Sequence, residues 1–188
     1  FPPTDGQMPA WTSVCRALAE AWTTKRADVA NTARRLTQLL REGTERCHQG
    51  PLPQALFEAA RAALAARYDA ERGGFGPAPK FPRAEAVLHL LRHHAHTKDE
   101  ASLEMATRTL LAMGAGGIYD HLAGGFARYS TDAAWLVPHF EKMLYDNALL
   151  VPAYLAGYQA SGVGRLREVA QETLDYLLRE MVSPEGAF

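Results

Sequence analysis

The sequence predicts an all-α chain assembled from paired helices, and three observations predict it. Period-2 alternation of β-branched residues, the mark of half-buried strands, is almost missing. Apolar residues recur instead at three- and four-residue spacing in segment after segment. Glycine-aromatic punctuation then groups those segments: "YDAERGGF", "DHLAGGF" and "SPEGAF" end at Phe75, Phe126 and Phe188, with helix pairs between them. One such pair cannot bury its apolar face alone, so the hairpins must stack and the array must close on itself or be capped. About seven helices make an incomplete ring.

The first predicted helix covers residues 9–22, where Trp11, Val14, Leu18 and Trp22 share a stripe and Pro9 suits a first turn. The second covers residues 26–47 (Val29, Ala33, Leu36, Leu40), and the alanine-rich third covers 53–68. "DAERGGFGPAPKFPRAE" must be a loop, because three glycines and three prolines oppose regular structure. Helix resumes over 84–96 and 100–113. After a second glycine-rich loop the last two helices fall at 138–161 and 164–181. Pro152 is expected to kink or split the first of these.

Twenty Lys and Arg against twenty-one Asp and Glu give a net charge of -1. That balance offers no footprint for nucleic acid or an acidic membrane. No apolar run approaches the ~20 residues that span a bilayer. Cys15 and Cys47 lie far apart and outside any CxxC pair, so neither a zinc site nor a dithiol motif is expected. Two reduced thiols in a cytoplasmic protein are expected instead. The chain opens at "FPPTDGQMP" without a signal-peptide pattern and closes at "SPEGAF". Both ends read as cuts in a longer protein. Apolar faces at a cut edge should promote self-association.

Chemistry concentrates in the second loop and in "WLVPHFEKMLYDN" after it. Read as a helix, this run gathers Phe140, Met143, Leu144 and Asn147 on a packing stripe, with His139, Lys142 and Asp146 on a polar face. By the wheel alone it is an ordinary surface helix. The loop before it adds Asp120, His121, Arg128, Tyr129, Asp132 and Trp135 among glycines, a mixture suited to a polar small-molecule pocket. His139 or His121 could exchange a proton near neutral pH. Glu141, Asp146, Asp132 and Asp120 could supply a carboxylate pair. Tyr129 and Tyr145 could hydrogen-bond, Trp135 could stack on a sugar ring, and Arg128 could clamp an anion. No metal site is expected: His139-x-Glu141 lacks zinc spacing, and His93, His94 and His96 read as a solvated helix end. Lys80 is a possible ligand contact, but the simpler expectation turns it to water while Phe75 and Phe81 plug the core. No P-loop or dinucleotide fingerprint is present, and no cofactor is expected.

"GGFGPAPKFP", "GGIYDHLAGGFARYSTDAAWLVPHFEKMLYDNALL" and the opening "FPP" resemble the family of spermatogenesis-associated protein 20 and its bacterial relatives. The resemblance covers the whole chain and implies a thioredoxin-like domain followed by an (α/α)6 toroid. That toroid is similar to N-acylglucosamine 2-epimerases and six-hairpin glycosidases. "FPP" would be the exit from the thioredoxin-like domain, making residues 1–8 a linker and 9–188 a partial toroid. The family motif matches at Lys80, Asp120, Arg128, Tyr129, Trp135, His139, Glu141, Lys142, Tyr145, Asp146 and Asn147. This chain departs from it at Ala123, where relatives carry glycine, and at Pro152.

What the resemblance implies is part of a carbohydrate-active enzyme, epimerase-, isomerase- or glycosidase-like. His139, Glu141, Tyr145 and Asp146 are its candidate catalytic residues. Asp120, Arg128, Tyr129, Trp135 and Lys80 are its candidate contacts to a sugar-like molecule. The alternative is a structural or partner-binding helical module attached to a redox domain.

Overall fold

A computed structural model describes residues 4, 6–45 and 50–188. The "FPP" opening, Cys47 and the end of the second predicted helix lie outside the described residues. Among those described, seven α-helices and a single two-residue strand pair carry the chain, which divides into two compact units, Phe1–Pro51 and Leu52–Phe188.

The first unit is a helical hairpin of α1 (Trp11–Thr24) and α2 (Arg26–Glu45). They meet at Lys25, whose amide closes the last turn of α1 on the Ala21 carbonyl at 2.8 Å. The Arg26 guanidinium sits 4.5 Å from the Trp22 ring centroid. No residue of α1 is buried, and Cys15 is a free, exposed thiol.

The second unit holds α3 (Gln54–Arg67), α4 (Ala84–Thr97), α5 (Glu100–Ala115), α6 (Leu144–Ser161) and α7 (Gly164–Glu180). Only two residues join α4 to α5 and α6 to α7. At each joint the first, Lys98 or Gly162, turns left-handed, with φ of 61° and 73°. Their amides cap the carbonyls of His94 and Tyr158. Connections this short leave no path except an antiparallel hairpin. α4 packs against both α5 and α6, and Val87, Leu90, Ala106, Leu110, Leu150, Ala153 and Leu166 fill the space between hairpins. No helix of the described residues is long and apolar enough to cross a membrane.

The expected start of α6 fails, and so does the expected break within it. The helix begins at Leu144 rather than at residue 138, because the residues before it pair as strand. Pro138–His139 (β2) runs antiparallel to Tyr129–Ser130 (β1), and the Arg128 amide donates to the Glu141 carbonyl at 2.8 Å. Those bonds use backbone groups that a helical turn would have used for itself. Phe140 consequently leaves the packing stripe and is 83% exposed. Nor does Pro152 split the helix, which continues through it to Ser161 with the proline on an exposed face.

Candidate functional site

The two long loops of the second unit share one construction, and it claims three of the residues expected to contact ligand. Each loop reads Tyr-Asp-x-x-x-Gly-Gly-Phe, at 68–75 and at 119–126. In each, the tyrosine and phenylalanine form a β-bridge, Tyr68 with Phe75 and Tyr119 with Phe126. The aspartate carboxylate accepts the amides two and three residues on: Glu71 and Arg72 for Asp69, Leu122 and Ala123 for Asp120. Both glycine pairs have positive φ, between 70° and 83°.

A lysine then closes each loop. Lys80 Nζ donates to Asp69 Oδ2 at 2.5 Å and to the Gly73 carbonyl at 2.8 Å. Lys142 Nζ donates to Asp120 Oδ2 at 2.8 Å and to the Gly124 carbonyl at 2.9 Å. An aromatic ring lies beside each ammonium, Trp135 at 5.5 Å and Tyr176 at 4.2 Å. The Lys142 hydrogen bond, followed by the Ala123 amide, holds the Asp120 carboxyl down at about 2. Burial raises Asp69, but the Lys80 bond and the Arg72 and Glu71 amides outweigh it and leave that carboxyl below its ordinary value.

Lys80 is therefore not turned to water, as the sequence suggested; it is 1% exposed. Trp135 is equally buried, with its indole N–H on the Arg72 carbonyl at 3.1 Å, and has no face left for a sugar ring. Its φ of 63° is an unusual backbone for so large a residue. The Asp132 carboxylate holds that turn by accepting the amides of Ala134, Leu136 and Val137, which lower its pKa, Val137 foremost. Asp120, Lys80 and Trp135 thus fasten loops.

The remaining candidates come together on a small ladder. The Lys80 amide donates to the Ser130 carbonyl at 2.9 Å and the Ser130 amide returns to the Lys80 carbonyl at 2.8 Å; Tyr129 pairs with His139. Side chains alternate across such a ladder. Lys80 and Ser130 point into the core, so their neighbours Phe81, Tyr129 and His139 form an outward row. Phe81 and Tyr129 ring centroids are 4.7 Å apart, and Tyr129 and His139 stack at 4.8 Å with 19° between planes. Phe81 therefore does not plug the core; it is half-exposed and ends the row.

Charge gathers at the His139 end. Glu141 Oε2 lies 3.3 Å from Arg128 Nη1 and 3.6 Å from His139 Nδ1. Glu141 raises the Arg128 pKa first, with Tyr145 and Asp146 adding to it. Asp146, in the first turn of α6, is pushed up by burial and by the Glu85 charge against the opposing pull of Arg128. Its Oδ2 and His139 Nδ1 are buried without a hydrogen-bond partner among the described residues. The structure thus unites Arg128, Tyr129, His139, Glu141, Tyr145 and Asp146, and separates them from Asp120, Lys80 and Trp135.

Sequence reasoning missed Phe81 and Glu85 here. Their place directly after Lys80, at the head of a helix as Asp146 is, was the available signal. His121 is not part of the cluster, since its Nε2 faces the Gly116 carbonyl at 3.0 Å. His96 is exposed as expected, but His93 and His94 are less solvated: His93 is largely buried between Glu58 and Ser102, at 3.1 Å from each. A cavity of about 400 Å³ beside it is lined by Gln54, Phe57, Glu85, His89 and Arg92. No group of three or more His, Cys, Asp or Glu among the described residues is placed to hold a metal ion.

No protein-family model matches the chain. Human spermatogenesis-associated protein 20 is 38% identical over 197 residues, a match covering 100% of this chain and 25% of the human protein. The rat protein of the same name is 36% identical over the same share. The chain spans about a quarter of the length of these relatives. Among solved structures, a sugar epimerase from a ruminal bacterium superposes with a TM-score of 0.59 at 16% identity, over 70% of this chain and 39% of that one. Cellobiose 2-epimerase from Bacillus thermoamylovorans gives 0.59 at 17% identity, over 71% and 39%. Identities that low show the fold alone. By sequence the chain is a homologue of spermatogenesis-associated protein 20 over its whole length, and by structure its hairpins form part of an α/α toroid.

Proposed function

We propose that the chain presents one wall of a sugar-binding site, faced by Arg128, Tyr129, His139, Glu141, Tyr145 and Asp146, with His139 as the proton carrier. The observation that supports it most is Asp146 Oδ2, buried and without a hydrogen-bond partner among the described residues. An unsatisfied buried acceptor costs ~1–3 kcal/mol, and a ligand hydroxyl would relieve it. The sugar class takes its support from the likeness in fold to the two sugar epimerases. An imidazole beside a carboxylate suits removal of the C–H proton next to the carbonyl of an open-chain sugar. His121 faces away, so one-base proton exchange is the chemistry proposed for this chain rather than full epimerisation.

The test is a thermal-shift and calorimetric panel of mono- and disaccharides, with binders then incubated in heavy water and followed by proton NMR. Binding weakened by Asp146→Asn, and loss of the C2 proton signal abolished by His139→Ala, are expected. No binding across the panel would sink the reading. The rival reading is a non-catalytic helical module attached to a redox domain. It draws on the two lysine clasps, which tie the loops down, and it predicts that silent panel.

A further inference from the structure

We infer that Glu141 sets the tautomer of His139, holding the proton on Nδ1 and leaving the Nε2 lone pair as the proton acceptor, while Arg128 restrains Glu141 from closing onto the ring. The inference rests on the reading of His139 as the proton carrier and deepens it by naming the atom that accepts the proton.

Three contacts carry the argument. The imidazole is fixed in plane by stacking on Tyr129 at 4.8 Å and 19°, and its backbone is fixed by pairing with the same residue. The stacking and the pairing together orient the ring with Nδ1 toward Glu141. Nδ1 is buried, and Glu141 Oε2 lies 3.6 Å from it, just beyond hydrogen-bond reach. A lone pair on Nδ1 would face the lone pairs of a carboxylate across that gap, whereas an N–H there is attracted to them. The second nitrogen's hydrogen-bonding role follows from the first.

Arg128 explains why the gap stays open. Its Nη1 holds the same oxygen, Oε2, at 3.3 Å, and its backbone amide holds the Glu141 carbonyl at 2.8 Å. One carboxylate oxygen is thus shared between a guanidinium and an imidazole, with the guanidinium nearer. Glu141 and Arg128 are positioning residues in this arrangement, and the carboxylate transfers no proton.

The experiment is long-range ¹H–¹⁵N correlation NMR on the ¹⁵N-labelled 188-residue chain, at a pH where His139 is neutral. A pyrrole-like Nδ1 and a pyridine-like Nε2 are expected. Glu141→Ala should shift the tautomer ratio about tenfold toward the Nε2–H form. Glu141→Gln, which keeps the side chain's shape and a carbonyl acceptor, should shift it less. Arg128→Ala should keep the Nδ1–H form and slow exchange of that proton with water, as Glu141 closes on the ring. An Nε2–H tautomer in the parent chain, or a ratio unchanged by Glu141→Ala, overturns the inference. Glu141 is half-exposed, so the variants should fold; if Glu141→Ala does not, the Glu141→Gln ratio decides, and no change there overturns the inference as well. The readout needs no sugar, so a silent sugar panel with the expected tautomer would sink the functional reading and leave the histidine geometry standing.

Discussion

The loops at 68–75 and 119–126 are built alike and fastened differently. Both bind a lysine through an aspartate and a glycine carbonyl. In the first, the Lys80 side chain is 0% exposed and the covering ring is a buried tryptophan tied by its own hydrogen bond. In the second, Lys142 is 19% exposed and Asp120 34%, under a tyrosine on α7. The same bonds in a drier setting cost more to break, because each group left behind must stay buried without a partner. The first loop is accordingly the stiffer anchor. Its lysine also leads directly into Phe81, the far end of the row that positions His139.

The strongest way to break that comparison is at the glycines. A Cβ on Gly74 would run into Cζ2 of Trp135, and one on Gly125 would come within 2.5 Å of Tyr176 Cδ1, both at positive φ. Gly74→Ala should cost about 3–5 kcal/mol and Gly125→Ala about 1 kcal/mol less, since Tyr176 has more room to shift. Chemical denaturation measures both, and equal losses would erase the distinction between the loops. Next come the lysines. Lys80→Met is expected to cost about 3 kcal/mol and Lys142→Met about 1–2, by the same measurement. A larger loss at Lys142 would reverse the ranking.

Acid sharpens the comparison further. The Asp120 pKa falls from 3.8 to about 2 on folding, so its contribution is complete above pH 3.8 and is lost as pH falls through about 2. Asp120→Asn should flatten the stability profile in that window, and an unchanged acid limb would show that Lys142 does not hold the carboxylate. Asp146 has the opposite sign and the smallest expected effect. Its folded pKa is raised, so its contribution is present below 3.8 and lost as pH rises through the folded value. Asp146→Asn should therefore melt slightly higher than the parent chain near neutral pH. A lower melting temperature would point to a stabilising role for the charge that the structure does not contain.

Helical periodicity was long enough in α3, α4, α5 and α7 to locate each within a few residues. It failed at residues 138–143. There Phe140, Met143 and Leu144 imitate a helical stripe over less than two turns, while the deciding bonds come from Tyr129, Ser130 and Arg128, residues that no local pattern connects to them. Lys80 was misjudged for a related reason. Its partner Asp69 sits in a loop, where spacing carries no periodic meaning. The matching Tyr-Asp-x-x-x-Gly-Gly-Phe strings are visible in the sequence, but nothing local marks the aspartate as the group that receives the lysine. Arg128, Tyr129, His139, Glu141, Tyr145 and Asp146 were legible as a group because sequence proximity already confined them. Which side chains faced outward depended on the ladder.

The fastenings also impose an order in time. Trp135 seals the first loop from 63 residues beyond Arg72, and Glu172 reaches Tyr119 from 53 residues further along the chain. A ribosome delivers the amino-terminal partner of each pair first. Both glycine loops therefore emerge before the residues that fasten them, and each is completed only when a later helix or loop arrives. Synthesis halted between Lys80 and Trp135 would leave Lys80 without its cover, exposed to proteases and chaperones that the finished molecule excludes.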